Sequence, residues 1–93
     1  MYYVYFLRSL KNNKIYVGFT KKDPKMKVIE HNKGSTPWTR QNKPLVLIYY
    51  EDYVCELDAR RRERFYKSGF GKSIKYLIVS SVSSKGRSAN GRG

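Results

Sequence analysis

Two phenols sit in strand-like runs near the start of the chain, Tyr5 in "YYVYFLR" (residues 2–8) and Tyr16 in "KIYVGFT" (residues 14–20). A phenol can pack, donate, accept and, when perturbed, ionise. On paired strands two such rings are either good cross-strand packing or a place where a proton is moved. Lys27 and His31 are four residues apart in a helix-like stretch, which stacks an ammonium over an imidazole on one helix face. Glu63 shares a line with Ala59 and Tyr66 at helical spacing, so it points inward, where a lone carboxylate is costly without a partner. An acid, an imidazole, an ammonium and two phenols are a set that can activate water.

The elements that must carry these residues follow from local pattern. Residues 2–8 are rich in aromatic and β-branched side chains and read as a strand. The polar "SLKNNK" reads as a turn in which Asn12 and Asn13 tolerate unusual backbone angles, and residues 15–20 complete a hairpin. An even-numbered loop sets Tyr5 opposite Gly18 and Leu7 opposite Tyr16, which puts both phenols on one face with open space above Gly18; a one-residue slip would separate them. Asp23 and Pro24 begin a helix over residues 24–33, Gly34 stops it, and Met26 and Ile29 are its expected core contacts. Residues 35–44, interrupted by Pro37 and Pro44, read as loop. The apolar run "LVLIYY" at 45–50 suits a buried central strand. Residues 56–67 form a helix with acids in its first turn, ended by Gly69, and residues 72–79 fit a short helix or a strand equally well. The expected domain covers residues 1–79, with residues 80–93 a flexible, basic, Ser/Gly-rich tail.

Charge narrows the partners. Twenty Lys and Arg against seven Asp and Glu leave +13 on 93 residues, a field that attracts polyanions, nucleic acid before an anionic membrane. No apolar run approaches the roughly 18 residues that cross a bilayer, and the N-terminal stretch is strand-like rather than a signal segment. Cys55 is the only cysteine, which excludes an internal disulfide and suits a reducing cytoplasm; it reads as a small buried apolar residue, with no disulfide-linked partner. Hydrophobic content of 40% and aromatic content of 15% are enough for a folded globule.

The order of parts resembles the GIY-YIG nuclease superfamily, particularly its small stand-alone bacterial members, which are similar to the catalytic domain of the excision-repair nuclease UvrC. Tyr3-Val4-Tyr5 stands for the first motif and Tyr16-Val17-Gly18 for the second, followed by Glu30-His31-Asn32, Pro44-x-x-Leu47 and Ala59-x-x-x-Glu63 with Lys67 nearby. The resemblance spans roughly residues 2–78. It implies an α+β fold, a small antiparallel sheet of three strands flanked by helices. It implies Tyr5, Tyr16, Lys27, His31 and Glu63 as catalytic residues, with Glu63 holding one Mg²⁺ or Mn²⁺. Lys27 falls where the family carries Arg, a point charge in place of a planar fork. Either tyrosine could orient the water and accept its proton, with Lys27 and His31 as the cations that help it.

The remaining cations, Lys25, Arg40, Arg60, Arg61, Arg62, Arg64 and Lys67, are candidate phosphate contacts, the arginines of residues 60–64 as a solvated face. Trp38 reads as a loop anchor before a base-stacking platform. The leading expectation is a metal-dependent DNA endonuclease of low or structure-directed specificity. The alternatives are a weakly active or inactive nucleic-acid-binding module on the same fold, or a small RNA-binding protein whose tyrosine-rich sheet stacks bases. Taken singly, each residue also has a plainer role: strand packing for the tyrosines, a helix-end cation for His31, an i,i+4 partner of Lys67 for Glu63.

Overall fold

A computed structural model describes residues 1–85. Strands β1 (Tyr2–Ser9), β2 (Ile15–Thr20) and β3 (Leu45–Tyr53) form one antiparallel sheet in the order β2-β1-β3. Helices α1 (Pro24–Asn32) and α2 (Pro37–Asn42) lie between β2 and β3 in the chain, and α3 (Glu56–Lys67) and α4 (Gly69–Lys85) follow the sheet.

β1 is the central strand because its side chains are buried on both faces. Val4 and Phe6 point to one side, where they meet Val17 and the α3 residues Ala59 and Tyr66. Tyr5 and Leu7 point to the other, against Leu45, Tyr16, Val28 and Trp38. The expectation that residues 45–50 form the central strand is therefore corrected: β3 is an edge, apolar on both sides because α1 covers one face and α3 and α4 the other. The hairpin has the expected register, Tyr5 opposite Gly18 and Leu7 opposite Tyr16. Asn13 takes a positive φ of 64° and its N–H donates to the Ser9 carbonyl at 2.8 Å, which closes the turn.

α1 begins as expected, with the Asp23 carboxylate accepting from Lys25 N–H and Pro24 at the first position. Its inward line is Pro24, Val28 and His31, at i, i+4 and i+7, so Met26 and Ile29 are more than half exposed and not in the core. Rotating them inward would turn His31 out. Asn32 fixes the helix to β3 with two hydrogen bonds, donating to Leu45 C=O at 2.9 Å and accepting from Leu45 N–H at 2.6 Å.

The segment read as loop holds α2. Pro37 starts that helix rather than breaking it, since a first-turn proline loses no helical hydrogen bond, and Thr36 caps it through Thr39. α3 has the expected bounds, but Ser68 caps it and Gly69 opens the next helix. The undecided stretch at 72–79 is helical, and α4 continues through the first residues assigned to the tail, as far as Lys85. The rest of that expected tail lies outside the described residues. Cys55 precedes α3 and is exposed, not buried.

The α3–α4 corner is tight at Gly71. A Cβ there would overlap the Phe65 backbone carbonyl, whereas one on Gly69 meets no atom within 4 Å. Gly71→Ala is expected to cost about 1–3 kcal/mol in urea unfolding, as over-packing against backbone does, while Gly69→Ala stays within about 0.5 kcal/mol of the parent.

Candidate active site

Tyr5 is 1% exposed, and its hydroxyl lies 3.0 Å from His31 Nε2. The hairpin register brings Tyr16 beside it, ring centroids 6.2 Å apart, and Tyr16 in turn lies 4.9 Å from the His31 ring and 5.3 Å from Trp38. Gly18 makes this possible. A Cβ at that position would run into the Tyr5 phenol and come within 2.9 Å of the Tyr16 ring. Burial first, then the neighbouring Tyr16, Glu63 and Glu30, hold the Tyr5 phenol far above its ordinary value, so its neutral form is the stable one.

His31 is 4% exposed rather than lying at the helix surface. Burial, and then the Lys27 charge, lower its pKa below the usual value, with Glu30 opposing. A neutral imidazole therefore faces the neutral phenol. Its second nitrogen, Nδ1, is buried without a hydrogen-bond partner. Lys27 is on the same helix, 26% exposed, and its ammonium is held by Glu30 at 3.0 Å. That bond spends part of the charge expected to face a phosphate.

Glu63 projects from α3, which packs against β1 and β2. It is 23% exposed, and its charge adds, after burial and Tyr16, to what raises the Tyr5 phenol. One oxygen accepts from Lys67 Nζ at 2.9 Å, so the plainer i,i+4 role is present as well. Among the described residues no three His, Cys, Asp or Glu side chains gather around one point. The donor set here is a single carboxylate with access to solvent, which fits Mg²⁺, a cation that takes one or two protein carboxylates and completes its shell with water and substrate oxygens.

The candidate phosphate contacts divide. Lys25, Arg61 and Arg64 are exposed. Arg40 donates to the Gly34 carbonyl at 3.0 Å, and Arg60 lies over the Phe19 ring while bonding Glu56 at 2.8 Å. Arg62 departs from the expected solvated face. It stacks over Phe65 and Tyr66 and pairs with Glu51 at 3.4 Å, because its helix position points at the sheet. Glu51 also accepts hydrogen bonds from Tyr49 and Tyr53, each at 2.6 Å, and from Tyr66. Burial and then Glu51 raise all three phenols, Tyr66 to about 12. This cluster was not singled out from sequence; the alternation Tyr49-x-Glu51-x-Tyr53 on one strand face was its one visible sign.

The GIY-YIG catalytic domain model matches residues 1–77, from β1 into α4. The chain belongs to the GIY-YIG family. It is similar to a UPF0213 protein of Staphylococcus haemolyticus, 33% identical over 79 residues that cover 84% of this chain and 93% of the relative. A UPF0213 protein of Clostridium perfringens is 33% identical over 86 residues, 91% of this chain and 89% of the relative. No solved structure matches significantly. The GIY-YIG match takes in both tyrosines, His31 and Glu63, and the observed α+β architecture agrees with that fold. GIY-YIG membership makes this a nuclease-family domain with a nucleic-acid substrate.

The lowered His31 pKa has a stability consequence. Below the ordinary imidazole value of about 6.5 the unfolded chain binds a proton that the folded chain resists, so stability is full above that pH and is lost as pH falls towards the folded value. Thermal melts between about pH 7.5 and about pH 5.5 should show a larger drop in Tm for the parent than for His31→Gln. Equal drops would mean that another group titrates there.

Proposed function

We propose that the chain is an endonuclease that hydrolyses phosphodiester bonds in DNA with one divalent ion, Mg²⁺ or Mn²⁺, at sites selected by structure or with little sequence preference. The observation that carries this is the buried Tyr5–His31 contact of 3.0 Å beside the Tyr16 ring. Attack on phosphorus needs a water that loses its proton, charge stabilisation on the phosphoryl oxygens and an assisted leaving group. Tyr5 accepts the proton of the attacking water as its own phenolic proton passes to His31 Nε2, so neither a free phenolate nor a strongly basic side chain is required. The depressed His31 pKa keeps that nitrogen available at neutral pH. Tyr16, tilted against Tyr5 and His31, orients the water. Glu63 would hold the ion; when bound, the ion supplies positive charge at the phosphoryl and leaving oxygens. Lys67 must release one Glu63 oxygen or remain as a cation beside the phosphate.

Lys27 favours a second reading, a binding module with weak catalysis. Its point charge is already paired with Glu30, so it offers the phosphate less than an arginine fork would.

Plasmid nicking with Mg²⁺ or Mn²⁺ tests both. Under the endonuclease reading, Glu63→Gln lowers the nicking rate about 100-fold or more, and Lys27→Arg raises it. Nicking untouched by Glu63→Gln rejects the site. Binding without nicking, in the parent and in Lys27→Arg alike, leaves the module.

A further inference from the structure

Between the edge of β2 and the α3–α4 corner lies a cleft of about 330 Å³, with Lys67, Lys72 and Lys75 on one wall and Tyr16 and Trp38 on the other. Lys75 is only 7% exposed, yet no carboxylate among the described residues pairs with it; its ammonium lies 4.7 Å from the centre of the Tyr76 ring. The stem of Lys75 is packed against the protein while its ammonium opens into the cleft, and one cation–π contact leaves most of its charge for an anion there. Lys72 is exposed and also has no carboxylate partner among the described residues. The one acid near this wall is Glu63, bonded to Lys67. Glu56 and Asp58 are at the opposite end of α3. Two of the three ammoniums on this wall are therefore left to an anionic ligand.

The facing wall says what kind. Tyr16 and Trp38 are tilted against each other at 36°, presenting aromatic surface across from the ammoniums. An anion with a flat, partly apolar body fits that pairing, and a nucleotide is such a body. Tyr16 also belongs to the Tyr5–His31 cluster, so whatever fills the cleft adjoins the place where the phosphodiester would be cut.

We propose that this cleft holds the nucleotide flanking the scissile phosphate, its own phosphate between Lys72 and Lys75 and its base and sugar against Trp38. The proposal rests on the nuclease reading, because the same strand passes through the Tyr5 site. It gives the short chain a means of fixing strand position: a phosphate seated on α4 sets which neighbouring phosphate reaches Tyr5.

Trp38 is the single tryptophan, so its emission reports on the cleft. The probe is a ten-nucleotide deoxyoligonucleotide without divalent ions, unlabelled for tryptophan emission and end-labelled for anisotropy. The expected result is a change in Trp38 emission over the concentrations at which anisotropy rises. Lys72→Met and Lys75→Met should each reduce the slope of log affinity against log salt by about 0.7, as loss of one single-strand phosphate contact does. The double variant should lose the emission change, and Lys75→Arg should keep it. Lys72 is exposed, so Lys72→Met gives a folded variant even if Lys75→Met does not. Binding by anisotropy with unchanged Trp38 emission overturns the cleft and leaves the nuclease reading intact. So does a slope lost equally in Lys33→Met, an equal loss of charge outside the cleft. The same emission change from inorganic phosphate at the same concentrations overturns the strand assignment. Absence of any oligonucleotide binding by the parent overturns the nuclease reading itself, and this proposal with it.

Discussion

The Tyr5 hydroxyl and His31 Nε2 face each other at 3.0 Å inside the fold, two polar groups surrounded mainly by rings and aliphatic side chains. Neither can be left alone there without a penalty of about 1–3 kcal/mol. That requirement reaches outward. It fixes the rotation of α1, which buries His31 and leaves Met26 and Ile29 in solvent. It requires a residue without a side chain at position 18, since any Cβ would occupy the space of the phenol. It depends on Asn32, which holds the end of α1 to the start of β3 through both backbone groups of Leu45.

Two clusters of similar residues are answered in opposite ways. On the α3 side, Glu51 is answered by three phenols and Arg62. Every strong demand of that carboxylate is met, and it binds β3 to the helix that carries Glu63. Around the Tyr5–His31 pair and the cleft beside Tyr16 the demands are incompletely met. His31 Nδ1 has no partner, Glu63 has a single lysine, and Lys75 beside Tyr16 has no carboxylate. A satisfied polar cluster stiffens a fold, while an unsatisfied one is where a ligand gains most by binding. That contrast separates the frame from the reactive side better than residue types do.

The sequence made the hairpin register legible because period-two alternation and an even loop leave few choices, and Tyr5 and Tyr16 followed from it. The bounds of α3 were legible from its charge pattern. Other parts depend on distance in the fold. Pro37 reads as a breaker until it is known to stand first in a helix. The apolar run of β3 reads as central until helices are placed on both its faces. Met26 and Ile29 are more hydrophobic than His31, and only the phenol across from α1 reverses their order of burial. Arg62 looks like its neighbours in a row of arginines, and its partner Glu51 lies on another element. Lys72 and Lys75 belong to a stretch whose periodicity did not separate helix from strand, so their shared wall with Tyr16 could not be foreseen.

Titrating Mn²⁺ into protein with ¹³C-labelled tyrosine and histidine rings is the most direct test of a single cation site at Glu63 beside both phenols and the imidazole. Paramagnetic broadening should strike Tyr5, Tyr16 and His31 first, spare Tyr49 and Tyr53 at the same ion concentration, and disappear in Glu63→Gln. Broadening that begins at Tyr49 and Tyr53, or that persists unchanged in Glu63→Gln, would contradict it.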